Sequence, residues 1–391
     1  MVEILLKKAP VTDGAALETV ATPALVLDVA KVDRNIRRLR ERLDRFGVEL
    51  RPHVKTAKSV DAARRLFPEG LGPITVSTLA EADHFARAGF TDVTYAVGLA
   101  PDKIARARDL VAQGVNLGVL IDSVEQARAL TEAAQDGGAM PAVLIEIDCD
   151  GHRGGLLPND PALLTIADIL HEGGVELRGV LTHAGESYAC RGGVGLAEAA
   201  EGERAAAVEA ARVLRQNGHA SPVVSVGSTP TAHFAESLGG VTEVRAGVFI
   251  FFDLVMYGIG VCAIDDIAPS VLATVIGHRP ERGWILIDAG WMAMSRDRGT
   301  QSHPVDQGYG LVCDIDGVPF GDLIVADASQ EHGIVKLRPG SRAALPDLPI
   351  GTRVRILPNH ACATGAQHDT YSVVESGSRD IVASWPRMRG W

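Results

Sequence analysis

The chain has 391 residues, 46% of them hydrophobic and 22% charged, a balance that supplies a buried core and excludes disordered and collagen-like classes. Lys and Arg total 38 against 49 Asp and Glu, for a net charge of −11, which disfavours nucleic acid and anionic membranes and favours a small-molecule partner. No run approaches the roughly 20 apolar residues of a membrane helix, and MVEILLKKAP lacks a signal-peptide apolar region, so a cytoplasmic protein is expected.

In chain order, ALVLDV (Ala24 to Val29) reads as a strand expected to pair with the C-terminal part of the chain. KVDRNIRRLRERLDRFG follows, with Val32, Ile36, Leu39, Leu43 and Phe46 spaced four and three apart, the pattern of an amphipathic helix. Eight short apolar or β-branched runs come next, each followed by helix-like sequence: VELRPHV, ITVS, VTYAV, NLGVLI, AVLIEID, LRGVLT, VVSV and EVRAGVF. TLAE from Thr78 and SVEQ from Ser123 have the form of capping boxes. Eight alternating units with strands too apolar for a wet face point to an α/β fold, a parallel (β/α)8 TIM-like barrel. A doubly wound open sheet is the alternative. From about Ser270 the rhythm changes to LATVIGH, GWILIDAG, GLVCDIDG, GIVKL, TRVRILP and YSVVES, separated by turns, which reads as all-β. The expected domains are a barrel over 30–262 and a β domain built from 1–29 plus 263–391. Five scattered cysteines (Cys149, Cys190, Cys262, Cys313, Cys362) do not suggest a disulfide framework.

Barrel sites lie at the carboxyl ends of strands, with phosphate held by the loops after strands seven and eight. Reading off those ends gives His53 and Lys55, then Arg153 in DGHRGG, His183 in LTHAG, GSTPT with Gly227, Ser228 and Thr229, and Gly247 in AGV. Backbone N–H groups and two hydroxyls at Gly227 to Thr229, with close approach allowed at Gly247, form a candidate anion cradle. A phosphate site at one strand end and a lysine at another suggest pyridoxal 5'-phosphate, with Lys55 as Schiff-base lysine and His53 sharing proton transfers. Each residue has a plainer reading: Lys55 as a solvated charge, Arg153 as a turn cap, His183 as a hydrogen-bonded core histidine. Their common register with eight strand ends favours the site. Lys58 reads as a solvated or phosphate-side charge one turn further on. In PNHACATGAQHD, His360 and Cys362 are two apart and would point the same way from an extended strand, so imidazole and thiolate could grip one divalent metal. His368 and Asp369 are further candidate ligands.

The blocks RPHVKTAKS, ITVSTLAEADHF, EIDCDGHRGG, GVLTHAG, VVSVGSTPTA, TEVRAGVFIFFDLVM, DAGWMAMSRDRGT, QEHGI and ILPNHACATGAQ resemble the pyridoxal-phosphate enzymes of the alanine-racemase fold (fold type III) that comprise D-threonine aldolases and eukaryotic-type D-serine dehydratases. The resemblance runs over nearly the whole chain. It implies that Lys55 binds the cofactor aldehyde, that Arg153 meets its phenolic oxygen, that Tyr188 lines the pocket, and that Ser228, Thr229, Gly247 and Val248 surround the phosphate. It implies a metal on His360 and Cys362, zinc by the softness of cysteine or manganese or cobalt as in relatives, and a homodimer. The aldolase branch typically has aspartate at the second ligand position, where this chain has Cys362, as in the dehydratases. The tyrosine common two residues beyond the strand-eight glycine is Phe249 here.

The expected reaction is loss of water from a D-3-hydroxyamino acid, with Lys55 or His53 taking the α-proton and the metal assisting hydroxide departure. The products would be a 2-oxo acid and ammonia. Arg296 and Arg298 are candidates for a second substrate carboxylate. The alternatives are retro-aldol cleavage to glycine and an aldehyde, racemisation, and a non-catalytic cofactor carrier.

Overall fold

The apolar runs between Val48 and Phe249 lie side by side in the computed structural model, which describes residues 14–391. The first strand, β1 (Ala24–Asp28), runs into a helix over Val29–Asp44. Its Val32, Ile36, Leu39 and Leu43 are buried, each contributing about 1.5–3 kcal/mol by leaving water. Gly47, at φ +66°, turns the chain after this helix. Then come β2 (Glu49–Leu50), β3 (Ile74–Val76), β4 (Asp92–Gly98), β5 (Asn116–Ile121), β6 (Ala142–Ile147), β7 (Leu177–Thr182), β8 (Val223–Val226) and β9 (Glu243–Val244). All are parallel, in the order β2-β9-β8-β7-β6-β5-β4-β3.

The ring closes beyond β2, where Thr75 N–H donates to the Pro52 carbonyl and Val54 N–H to the Thr75 carbonyl, each at 2.9 Å. The barrel expected from the sequence is therefore present. SVEQ forms a full capping box, whereas at TLAE only the Thr78 half forms, because the Glu81 carboxylate turns to Ser77. The longest crossover helix, Gly192–Gln216, buries Leu196, Ala200, Glu203, Ala207, Ala210, Ala211 and Leu214 along one stripe. A glutamate sits in the middle of that apolar stripe.

The second sheet contains β10 (Pro269–Arg279), β11 (Trp284–Ile287), β12 (Gly310–Cys313), β13 (Pro319–Ala328), β14 (Gly333–Leu337), β15 (Arg353–Pro358), β16 (Thr370–Val374) and β17 (Ile381–Pro386). Six of these close on themselves as β10-β11-β14-β13-β12-β15, and β1, β16 and β17 extend from β10. β1 pairs antiparallel with β10 and parallel with β16. Two strands escaped the sequence reading. In β13 only Leu323, Ile324 and Val325 are buried and a register shift interrupts the ladder; β17 is an edge strand, largely uncovered. Neither carries the alternation that marks a half-buried strand.

By contact density the chain forms two compact units, one with residues up to Arg34, Phe251–Gly258 and Cys262–Arg387, the other with Asn35–Ile250, Ile259–Val261 and Met388–Trp391. The first thirteen residues, assigned to the β domain from the sequence, lie outside the described residues. No helix among the described residues is long and apolar enough to cross a membrane, and the five cysteines form no disulfide.

Candidate active site

Beyond β2 the chain stays extended to Val54, held by His53 N–H on the Ala246 carbonyl at 2.8 Å. It then turns, with Lys58 N–H on the Val54 carbonyl at 2.8 Å, and Lys55 lies exposed on that turn at the carboxyl end of the barrel. Lys58 is not a solvated charge and is not inside the helix, which starts at Val60. It adopts a left-handed φ of 46° and its amine lies 2.8 Å from the fully buried Glu81. Glu81 also accepts Ser77 N–H at 2.7 Å, so a buried carboxylate clamps the turn that carries Lys55.

His53 is half-buried. Its Nδ1 accepts Lys55 N–H at 3.5 Å, and its Nε2 lies 3.3 Å from Ser77 Oγ. Burial, then the charges of Lys55 and Arg245 and the nearby His183, hold its pKa well below 6.5, so the ring is neutral. His183 Nδ1 is 2.8 Å from the Gly227 carbonyl. A carbonyl only accepts, which puts the proton on Nδ1 and the lone pair on Nε2. Burial pushes the His183 pKa down to about 3 against the help of that hydrogen bond, with Lys55, Arg153 and Arg245 adding repulsion. The Tyr188 ring packs 6.3 Å from the His183 ring at 48°.

Arg153 reaches from the glycine-rich loop after β6 and is about half exposed, with Nη2 3.8 Å from Glu146. Asp148 shapes that loop by accepting the N–H groups of Asp150 (3.0 Å) and Gly151 (2.7 Å), so Arg153 does not cap the turn. Lys55 and His183 thus fall within electrostatic reach of His53, and Lys55 and Arg153 within reach of His183.

The cradle after β8 differs in detail from the sequence expectation. The Gly227 amide, expected to face an anion, instead donates to Glu203 at 3.0 Å, and the Ser228 amide donates to Thr231 Oγ1 at 3.1 Å. Two hydroxyls remain. Thr229 Oγ1 accepts Phe249 N–H at 3.1 Å and keeps its own hydrogen for another acceptor. Ser187 Oγ donates to the Ala184 carbonyl at 2.7 Å, so in the 2.9 Å contact between Ser187 and Ser228 it is Ser228 that donates, a bond an anion could redirect. Gly227 has φ +143°, and a Cβ there would lie 2.0 Å from the Arg245 carbonyl oxygen. A Cβ at Gly247 would meet Thr56 Oγ1 at 3.1 Å and the His53 carbonyl oxygen at 3.2 Å. Val248 opens a single 3₁₀ turn, Val248–Ile250, and Phe249 is fully buried, without a hydroxyl to offer.

Sequence reasoning missed Arg245 and Glu203. Arg245 is buried in the barrel, donating to Ser225 Oγ at 2.8 Å and to the Thr182 carbonyl at 2.6 Å. Burial lowers its pKa to about 10 against the pull of Glu243, Glu203 and Glu146. The readable signal was an arginine inside an apolar strand, two residues before Gly247. An exposed lysine, two neutral imidazoles, a buried guanidinium and two hydroxyls with hydrogens to give suit an aromatic aldehyde bearing a phosphate.

In the β unit, β15 ends at Pro358, and His360 caps a short helix, Ala361–Gly365. The expectation that an extended strand aligns His360 with Cys362 is therefore corrected: a helical turn does it. The buried Asn359 fixes the approach, its Oδ1 accepting Thr300 N–H at 2.9 Å and its Nδ2 donating to Thr300 Oγ1 and the Gly308 carbonyl, both at 2.8 Å. His360 Nδ1 lies 2.6 Å from Asp297 Oδ2. Burial opposes charge on His360, but hydrogen bonds to Asp297 and Cys362 and the charges of Cys362 and buried Asp253 raise its pKa to about 11. Asp253 accepts the N–H groups of Met256 and Ala361, both at 2.9 Å.

With Nδ1 on a carboxylate, Nε2 is the nitrogen left for a metal, the usual way a ligand histidine is oriented. Two donors of nitrogen and sulfur type fit a divalent ion with open positions. His368 does not join them, since its Nε2 contacts the Ala293 carbonyl at 2.8 Å. No group of three or more His, Cys, Asp or Glu arranged for a metal occurs among the described residues. Arg298 pairs with Asp306 at 2.6 Å, and Arg296 stacks 5.0 Å from the Trp291 ring.

Comparison with known proteins matches residues 27–255 to the alanine racemase N-terminal domain and residues 268–374 to a serine dehydratase domain. The chain is 51% identical to a D-threo-3-hydroxyaspartate dehydratase of Delftia sp., over 96% of this chain and 99% of that one. It is 30% identical to a D-serine dehydratase of Dictyostelium discoideum (95% and 97% covered) and 31% identical to a D-threonine aldolase of Arthrobacter sp. (94% and 93%). The solved structure of the Delftia enzyme superposes with a TM-score of 0.92, covering 96% of this chain and 100% of that one. Variants of that enzyme with alanine in place of a histidine, and of a cysteine two positions further on, have also been solved, the latter in the metal-free form. This chain belongs to the alanine-racemase-fold family, in the branch that joins an alanine racemase N-terminal domain to a serine dehydratase domain.

Proposed function

We propose that the protein is a lyase, a pyridoxal-phosphate- and metal-dependent dehydratase of D-3-hydroxyamino acids, with D-threo-3-hydroxyaspartate as preferred substrate and oxaloacetate and ammonia as products. The observation that carries the choice is Cys362 hydrogen-bonded to His360, with the same two-residue histidine-to-cysteine spacing as the replaced pair in the dehydratase relative. The aldolase branch typically has aspartate there.

When bound, the cofactor supplies an electron sink for charge at the α-carbon, and the metal supplies a Lewis acid for the departing hydroxide. The rest falls to the chain. Lys55 holds the cofactor and takes the α-proton on Nζ. His53 is not the base in this reading, because Nδ1 faces the Lys55 amide and Nε2 faces Ser77. Neutral His53 and His183 offer Lys55 no competing imidazolium charge beside it. Arg153 meets the cofactor's phenolic oxygen and Tyr188 lines the pocket. Ser228 and Thr229 donate hydroxyl hydrogens to the phosphate, with Gly247 and Val248 giving backbone access. His360 Nε2 and Cys362 Sγ hold the metal, and Asp297 orients the imidazole. Of the two arginines offered for the second substrate carboxylate, Arg296 is favoured, since Arg298 is taken by Asp306. We also read the protein as a cytoplasmic homodimer, which light scattering and cell fractionation test.

The deciding experiment gives metal-replete protein D-threo-3-hydroxyaspartate and D-serine and follows products. Oxo acid with ammonia supports dehydration; glycine with glyoxylate would replace it by aldol cleavage. Chelation followed by zinc, manganese and cobalt in turn identifies the metal, and activity that survives complete metal removal refutes the metal role.

A further inference from the structure

Glu203 is an acidic side chain on the buried stripe of the Gly192–Gln216 helix, only 2% exposed. Its Oε1 accepts Ala184 N–H at 2.8 Å and Gly227 N–H at 3.0 Å, and its Oε2 accepts the Thr231 hydroxyl at 2.7 Å. Three donors meet one carboxylate far from water, with the buried Arg245 guanidinium within electrostatic reach, an arrangement that satisfies two buried amides and orders the segments that carry them.

Those donors belong to the segments that carry the candidate cofactor residues. Ala184 follows His183, whose Nδ1–H is fixed on the Gly227 carbonyl at 2.8 Å. The peptide units flanking Gly227 are therefore gripped from both sides, Glu203 on the amide and His183 on the carbonyl. Thr231, by giving its hydrogen to Glu203, leaves its oxygen to accept Ser228 N–H at 3.1 Å. Thr231 N–H in turn lies on Ser228 Oγ at 3.2 Å, which commits that oxygen as acceptor and leaves its hydrogen on Ser187 Oγ, from where an anion can redirect it.

We propose that Glu203 is a positioning residue that, through Gly227 and Thr231, aims the Ser228 and Thr229 hydroxyls at the cofactor phosphate and fixes the tautomer of His183. This rests on the proposed pyridoxal-phosphate function but concerns a residue that touches neither cofactor nor substrate. A scaffold role alone would weaken folding without regard to what is bound. A positioning role weakens the phosphate-bearing ligand selectively.

The test titrates full-length wild type, Glu203→Leu and Glu203→Gln with pyridoxal 5'-phosphate and with pyridoxal, after cofactor removal, following absorbance. Glu203→Leu should lose about tenfold in affinity for pyridoxal phosphate and hold pyridoxal nearly as wild type does. Glu203→Gln keeps an oxygen for the two amides but meets the Thr231 hydroxyl with a donor NH2, and should recover part of the loss. In histidine-selective ¹⁵N spectra, His183 should keep its Nδ1–H form in wild type and mix tautomers in the Leu variant. Equal losses for both ligands, no loss for either, or a Gln variant as weak as the Leu variant would overturn the proposal. Should Glu203→Leu not fold, Thr231→Val removes only the hydroxyl link and should cost about threefold for the phosphate ligand alone; no change there also overturns it. Wild type that binds neither ligand would sink the proposed function instead, while the His183 spectra still decide for or against Glu203.

Discussion

Two histidines at the barrel's strand ends, His53 and His183, and one in the β unit, His360, are held in opposite states. His53 and His183 are kept neutral, the latter with a pKa near 3, because burial and the neighbouring cations Lys55 and Arg245 outweigh the carbonyl that His183 holds. His360 is partly desolvated too, with its side chain 40% exposed, yet its pKa is raised to about 11 by hydrogen bonds to Asp297 and Cys362 and by the charges of Cys362 and Asp253. Desolvation disfavours the charged ring in both places, and the sign of the nearest groups decides the outcome. The barrel is arranged to disfavour extra positive charge around a lysine. The β unit is arranged to welcome a cation, and a metal ion can take the place of the proton.

Replacing Lys55 tests the barrel side most severely. Lys55→Ala should lower kcat on the order of 10⁴-fold while the fold, checked by circular dichroism, is kept; retention of more than a tenth of the activity would remove the lysine from the centre of the reading. Next in size is Lys58→Met, which strands the buried Glu81. Denaturant titration should show a loss of about 3 kcal/mol, and a change near zero would mean that the clamp on the Lys55 turn is slack.

On the other side of the comparison, Asp297→Asn keeps the shape but removes the charge that orients His360. Metal affinity by competition with a chelating dye should fall about 10- to 100-fold, with cofactor binding unchanged. The smallest effect is the pH response of the neutral barrel histidine. His183 has a lowered folded-state pKa, so below the unfolded value of 6.5 the unfolded chain binds the proton first. Its neutrality therefore makes stability fall as pH drops from 6.5 towards 3. Thermal melts of His183→Asn should have a shallower decline over that window than wild type; parallel curves would mean that the ring is not held neutral.

Much of this was written in the sequence. The eight apolar runs became eight parallel strands because burial on both faces leaves a continuous apolar signature, and the strand-end rule brought out Lys55, His53, Arg153 and His183. Where that signature was weak, in β13 and β17, strands were missed. Glu203 was overlooked among the acidic residues of GLAEAAEGERAAAVEAA, although its phase could have found it: seven beyond Leu196 and four before Ala207, it lies on the buried stripe. Lys58 was misjudged because its partner, Glu81, is 23 positions away and its left-handed turn has no glycine to announce it.

By itself the sequence determined the residue types, their order along the barrel rim and the histidine–cysteine pair, since strand periodicity and side-chain chemistry are local properties. Only the tertiary structure decided which amides remain for a phosphate, which nitrogen of His183 carries its proton, and why His360 is charged where His53 is not. Those outcomes depend on desolvation and on partners brought from distant segments, and a linear chain carries neither until it folds.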